Sequence, residues 1–130
     1  MRESGAWKAI RGAIKHLDPV RVENPAHPGT PDVNYIGGWL ELKRLSRLPD
    51  MDKVLQIDHY TPQQRSWAFR RIARGGRCFM LISAGKHWIL MRGDVAATSI
   101  GFDTTAVVLQ KAIKVWTTRP TSELAKLLTS

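Results

Sequence analysis

Gly29-Thr30-Pro31-Asp32-Val33-Asn34-Tyr35-Ile36-Gly37-Gly38-Trp39-Leu40-Glu41-Leu42-Lys43 is the stretch that decides the fold. Val33 to Ile36 and Trp39 to Lys43 are rich in β-branched, aromatic and leucine residues. The Gly37-Gly38 pair between them signals a hairpin, because glycine takes up the positive φ of the favoured two-residue turns without strain. With those glycines as the loop, Ile36 pairs with Trp39, Asn34 with Glu41 and Asp32 with Lys43. Side-chain alternation then puts Asp32, Asn34, Glu41 and Lys43 on one face and Val33, Tyr35, Leu40 and Leu42 on the other. The diagonal from Asp32 to Glu41 spans roughly 5.5 to 8 Å between backbones, which two carboxylates close by pointing at one shared divalent cation. A one-residue slip would destroy the arrangement. The same residues also read as a strand that opens after a proline and carries a solvated, charge-paired face. Trp39 beside Glu41 and Lys43 argues against that, since it suits a cleft with an apolar floor better than a wet surface.

The pattern resembles the PD-(D/E)XK nuclease superfamily, and within it the small VRR-Nuc-like nucleases and the phage or archaeal Holliday-junction resolvases. Pro31-Asp32, Glu41-Leu42-Lys43 and the later Gln64-Arg65-Ser66-Trp67 carry the likeness, which spans about residues 3 to 84. It implies an α/β fold with a restriction-endonuclease-like core, a mixed β-sheet with flanking helices in the order αβββαβ. It also implies a Mg²⁺-dependent endonuclease that hydrolyses DNA phosphodiester bonds, selects branched or junction DNA, and accepts Mn²⁺ in place of Mg²⁺. By the family pattern Asp32 and Glu41 bind the metal, the backbone carbonyl of Leu42 completes the site and Lys43 positions the attacking water. The Gly-Thr-Pro-Asp opening and the helix-initial glutamine match the VRR-Nuc pattern in particular, which places Gln64 beside the metal. Taken alone, a glutamine in a first helical turn is equally a solvated residue or a capping partner.

Composition fits a nucleic-acid enzyme. At 130 residues the chain reads as one domain, with a core over about 3–91 and C-terminal helices over about 103–128. That size buries roughly two-thirds of the unfolded surface, enough to stand without disulfides or a structural metal. The single cysteine, Cys78, lies in an apolar run and reads as core packing in a reducing compartment. The four histidines, at 16, 27, 59 and 87, lack zinc-ligand spacing. No signal peptide or membrane span is evident, so the expected location is cytoplasmic, in a bacterial or phage-infected cell if the resemblance holds. A net charge of +9 and a pI near 10.3 favour a polyanionic partner, because each neutralised phosphate releases counterions. Charge alone fits a noncatalytic basic nucleic-acid-binding protein on the same fold equally well.

Along the chain, Trp7, Ile10, Ile14 and Leu17 recur at helical spacing with Lys8, Arg11 and Lys15 opposite, which predicts an amphipathic helix over 2–17. Glu3 shares the Trp7 face, where related nucleases often carry an extra metal-directed glutamate, although a first-turn glutamate also simply complements the helix dipole. Glu23, after a short strand from Val20, competes for that role, and His27 in the proline-rich loop is either a phosphate contact or an exposed loop histidine without a task. Residues 44–61 read as a long, mobile, substrate-facing loop in which Arg44 and Arg47 either meet the phosphodiester backbone first or are simply solvated. Thr61 and Pro62 open a helix that Gly75-Gly76 stops. Its wheel separates Ala68, Phe69, Ile72 and Ala73, directed at the sheet, from Trp67, Arg70, Arg71 and Arg74, which can bind phosphates and stack on bases. The alternative is a solvated charged face with Trp67 packed against another element. Arg77–Ala84 and His87–Met91 predict a strand pair around Gly85-Lys86. Asp103, Thr104 or Thr105 then caps a helix carrying Val107, Val108, Ala112, Ile113 and Trp116, and a tail helix follows Pro120. The tail helix's leucine stripe at 124, 127 and 128 belongs to the core or to the surface of a homodimer, the assembly in which related nucleases cut branched duplexes.

Overall fold

The computed structural model describes residues 5–24 and 26–130; the candidate ligand Glu3 lies outside them. The chain forms α1 (Gly5–Ile10), β1 (Val20–Arg21), β2 (Val33–Tyr35), β3 (Gly38–Leu45), α2 (Pro62–Ala73) and β4 (Cys78–Ala84). It continues as β5 (His87–Arg92), α3 (Gly93–Ser99), α4 (Thr105–Lys111), β6 (Lys114–Trp116) and α5 (Glu123–Thr129). This is a mixed α/β architecture, and its first six elements follow the expected αβββαβ order. The six strands lie in the sheet in sequence order. All neighbours are antiparallel except β3 and β4, which the α2 crossover makes parallel.

The central strands are apolar on both sides because helices cover both sheet faces. On one face Phe79, Leu81, Trp88 and Leu90 join Val33, Tyr35 and Leu40 under Trp7, Ile10 and Ile14 from the N-terminal segment and Leu124 and Leu128 of α5. On the other, Met80, Ile82, Ile89 and Met91 pack with Ala96, Ile100, Val108 and the buried Leu55, Ile57 and Tyr60 of the β3–α2 connection. Glu41 and Lys43 belong to this second face, paired in register with Met80 and Ile82. Glu41 is thereby set into an apolar surround.

Several expectations change. The hairpin register is Tyr35 with Gly38, Asn34 with Trp39 and Val33 with Leu40, so the loop is Ile36-Gly37 rather than Gly37-Gly38. Gly37 alone supplies the positive φ, 100°. Gly38 is a strand residue, and it must be glycine because a Cβ there would collide with the Tyr35 hydroxyl, which donates 2.8 Å to the Leu128 carbonyl. The slip is by two residues, so each side chain stays on its expected face. Among the described residues the first α-helix ends at Ile10, well short of 17, and gives way to turns and a 3-10 turn at Lys15–Leu17, although Trp7, Ile10 and Ile14 are buried as expected. Gly12, a poor helix residue, lies where the helix stops.

The 44–61 segment is pinned rather than loose. β3 continues to Leu45, and beyond it the Leu55 amide donates to the Asp103 carbonyl at 3.1 Å. Thr105 and Ala106 donate back to the Lys53 and Met51 carbonyls at 2.8 and 3.1 Å. Its three apolar anchors, Leu55, Ile57 and Tyr60, offset the conformational entropy of so long a connection. Further on, α4 ends at Lys111 and Trp116 belongs to β6, paired with Trp88, not to a helix. The α3 helix was not anticipated. The α5 stripe is core: Leu124 and Leu128 are fully buried against the sheet and so are not a free surface for a second copy.

Candidate active site

Continuing the β2–β3 register places Asp32 directly across from Glu41, closer than the expected diagonal. Their carboxyl groups are near enough for Asp32 to favour a proton on Glu41. Asp32 is held there by its own backbone and side chain. Its carbonyl accepts from Val22 at 2.8 Å, and its Oδ2 accepts from the Leu42 amide at 2.8 Å. Along β3, the Trp39 amide donates toward β4, to Arg77, and the Leu45 carbonyl accepts from Gly85 on that same side. Odd-numbered β3 residues therefore bond β4, and even-numbered ones turn both N–H and C=O toward the β2 side. The Leu42 carbonyl thus faces the side on which Asp32 sits.

Glu41 is 6% exposed. Burial, followed by the neighbouring Asp32 carboxyl and its negative charge, holds its carboxyl far above the ordinary carboxylate range, while Lys43 and Arg21 pull the other way without prevailing. Two acidic groups forced together in an apolar setting are the donor chemistry of a hard divalent cation, which would relieve both the burial and the repulsion. With the Leu42 carbonyl they are the oxygen donors that could hold Mg²⁺ or Mn²⁺, and no third acidic, histidine or cysteine side chain joins them among the described residues. Glu23, exposed and just past β1, is not drawn into this pair.

Lys43 is organised from the far side. Its Nζ donates 3.0 Å to the His59 carbonyl and 3.0 Å to Gln64 Oε1, and lies 5.6 Å from the Tyr60 ring centre. The same Gln64 oxygen accepts from the Thr61 amide at 2.9 Å, while Thr61 Oγ1 accepts from the Gln64 amide at 3.1 Å. Gln64 is therefore both the capping-box residue of α2 and the tether of Lys43, so the two sequence readings of it are compatible. His59, which the sequence reading left without a role, adopts φ +65°, an uncommon conformation for a non-glycine residue, and presents its carbonyl to Lys43. The Thr30 side of the site is locked by Gly29: at φ +94° it packs so closely on α2 that a Cβ would collide with the Gln63 carbonyl.

The helix ends as the glycines predict, with Gly76 and Gly75 amides donating 2.9 Å to the Arg71 and Ile72 carbonyls. Its phase differs from the expected wheel. The inward row is Gln64, Trp67, Ala68 and Arg71, at i, i+3, i+4 and i+7. Trp67 is 6% exposed, and Phe69, expected inside, is 45% exposed. Trp67 packs on Ala68 and Cys78 and meets Trp39 edge-to-face at 5.2 Å, with the Arg71 guanidinium 4.4 Å over its ring. Arg70, Arg71 and Arg74 are exposed and make no ion pair among the described residues. Their sequence signature was a run from 59 to 93 without a single acidic residue. Arg65, to which the sequence assigned no role of its own, is structural: it donates 2.7 and 2.9 Å to the Ala97 and Ile100 carbonyls and stacks 4.1 Å from Tyr60, clamping α3 to α2.

Arg44 and Arg47 are not brought to the carboxylates. Arg44 lies on the opposite sheet face from Lys43, lining a hollow with Gly5, Ala6 and Trp88, and Arg47 lies beyond β3 beside the Gly85 turn. Cys78 is buried as expected, and burial pushes its thiol up to about 12, in keeping with core packing. No helix among the described residues is long and apolar enough to cross a membrane. No family model matches the chain, and no curated protein matches it.

Proposed function

We propose that this chain is a Mg²⁺-dependent endonuclease that hydrolyses DNA phosphodiester bonds, with a preference for branched or junction DNA. The observation that carries the reading is the buried Glu41, set against the partly buried Asp32 and beside a tethered lysine. An apolar surround disfavours two acidic groups in contact unless a cation compensates them, and neither carboxyl makes a salt bridge among the described residues. Asp32, Glu41 and the Leu42 carbonyl would hold Mg²⁺ or Mn²⁺. A divalent cation there supplies a water of lowered pKa and counter-charge for the scissile phosphate.

The chain's own groups do the rest. An ammonium has three N–H donors. Two of those on Lys43 are spent on His59 and Gln64, which leaves one for the reacting groups on the Glu41 face. There it orients the attacking water and then stabilises charge growing on a non-bridging phosphate oxygen, a preorganised donor that need not reorganise during the reaction. The water oxygen forms one P–O bond as the opposite one breaks, so no covalent enzyme intermediate is required. Arg70, Arg71 and Arg74 supply the phosphate contacts that hold the strand. Because those arginines lie outside the acidic pair, they support nucleic-acid binding even without catalysis, which keeps a noncatalytic binding protein as the second reading.

The test is incubation with labelled four-way junction, flap, linear duplex, single-stranded DNA and RNA in Mg²⁺, Mn²⁺ or EDTA, beside Asp32→Ala. Metal-dependent cutting that the substitution abolishes is the expected result. Metal-independent binding with every substrate left intact would replace the nuclease by the binding protein.

A further inference from the structure

We propose, building on the nuclease reading, that the hollow between the loop ending at Thr30 and α2 is a subsite for one unpaired nucleotide beside the scissile phosphate, so that the preferred substrate is single-stranded at the cut. The hollow, of about 470 Å³, is lined by His27, Thr30, Trp39, Trp67, Arg70 and Arg71 among others, with no acidic residue. That volume is in the range of small-ligand pockets and suits a single nucleotide. Its walls continue from the acidic pair: Thr30 precedes Asp32 by two residues, Trp39 precedes Glu41 by two on the same strand face, and Trp67 and Arg71 extend the inward row of Gln64.

The chemistry of the lining selects a base with a free face. Trp39 is half-buried and meets Trp67 at 69° between ring planes, and the Arg71 guanidinium lies 5.7 Å from Trp39 and 4.4 Å from Trp67. The half-buried Trp39 indole and the flat Arg71 guanidinium, both lining the hollow, offer planar groups for a base to stack on, with Arg70 alongside for the phosphate. A base inside a duplex has both faces covered by its neighbours and cannot use such a platform; an unpaired one can. Beyond it, Arg70, Arg71 and Arg74 with Gly75 and Gly76 border a second hollow of about 470 Å³, into which the strand continues.

The site is also built rather than incidental. The His27 carbonyl accepts from the Thr30 amide at 3.3 Å and from its hydroxyl at 2.8 Å, and Gly29 seats the loop on the first turn of α2. At the other end, Gly76 is where the Arg71 stem passes: a Cβ on Gly76 would come within 2.7 Å of Arg71 Cδ. Close packing at Gly29 and Gly76 thus holds the Thr30 end of the loop and the Arg71 stem at the hollow.

The test measures fluorescence anisotropy in EDTA with a labelled thymidine oligonucleotide of about eight nucleotides, against a blunt duplex of the same length. The wild type should bind the single strand at least tenfold tighter. Trp39→Leu and Arg71→Gln should each lower single-strand affinity about tenfold and duplex affinity less than twofold, with Trp39→Phe retaining most of the binding. Arg71 is exposed, so its substitution keeps the test valid if Trp39→Leu misfolds. Equal affinities for the two ligands, or parallel losses on both, would overturn the subsite. So would undiminished Mg²⁺-dependent cutting of flaps by Arg71→Gln, a result that leaves the nuclease reading standing. A preserved single-strand preference in a wild type that cuts nothing would overturn the nuclease reading and, with it, the placement beside a scissile bond.

Discussion

Replacing Glu41 by glutamine should stabilise the metal-free protein at alkaline pH and abolish its response to divalent cations. The Glu41 carboxyl is raised in the folded state, so the native chain holds a proton that the unfolded chain releases above a pKa of about 4.3. Stability is then full below that value and falls as pH rises toward the folded pKa. Were the proton fully retained at pH 8, the loss would be about 3.7 × 1.36, or roughly 5 kcal/mol. Local relaxation and water penetration reduce that ceiling, and about 2 kcal/mol is the expected size. Glutamine keeps the shape and a donor for Asp32 yet never ionises. With roughly 2.1 cal/mol/K of unfolding entropy per residue over 130 residues, the gain corresponds to about 7 °C in Tm at pH 8. It should vanish near pH 4. Metal at ten times its Kd should return about 1.4 kcal/mol to the wild type and nothing to the variant. Differential scanning calorimetry at pH 4 and 8, in EDTA and in Mn²⁺, reads all four values. A variant no more stable than wild type at pH 8 in EDTA, or one stabilised by Mn²⁺ as much as wild type, would refute the argument.

Lys43→Ala should leave calorimetric Mn²⁺ binding within about twofold and lower the single-turnover cleavage rate by about 10²-fold, the usual loss for one preorganised donor; a loss of metal affinity matching the loss of rate would contradict its role. Gln64→Ala should cost about 1 kcal/mol of stability through the capping box and also slow cleavage, and a double-mutant cycle with Lys43→Ala should show the two rate effects to be non-additive. Arg65→Met should destabilise by about 2–3 kcal/mol in denaturant unfolding, because it orphans the Ala97 and Ile100 carbonyls at the end of α3. Gly29→Ala should lower both Tm and activity, since it strains φ and pushes the loop off Gln63; unchanged activity would show that this wall is not required.

The parts legible in sequence were those written in local chemistry. Thr61-Pro62 and Gly75-Gly76 bracket α2 because capping and left-handed termination depend on a few adjacent residues. Gly85-Lys86 marks the β4–β5 turn for the same reason. The hairpin illustrates both the strength and the limit. Two adjacent glycines announce a turn, but which one is in it depends on Tyr35 reaching across to Leu128, a contact between residues 93 positions apart. Trp116 was misassigned because a short strand at a sheet edge continues the apolar spacing of the preceding helix, and only its pairing with Trp88 separates the two readings. The 44–61 segment looked loose because its anchors, Leu55 and Ile57, are isolated apolar residues whose partners lie around Asp103.

The phase of α2 shows how a wheel can misjudge its faces while the functional residues still converge. Hydrophobicity alone directs Phe69 inward and leaves Trp67 with the arginines. The helix instead turns so that Gln64 reaches Lys43, and an indole three residues later must then be buried. Burying Trp67 carries the next inward position, Arg71, over the Trp39 and Trp67 rings, where its stem covers apolar surface and its head stays in water. One rotational choice thus sets both the lysine tether and the stacking platform. A substitution that re-phases α2, such as one moving the Trp67 anchor, should disturb chemistry and single-strand binding together, whereas Gln64→Ala, which leaves Trp67 buried, should affect cleavage far more than binding.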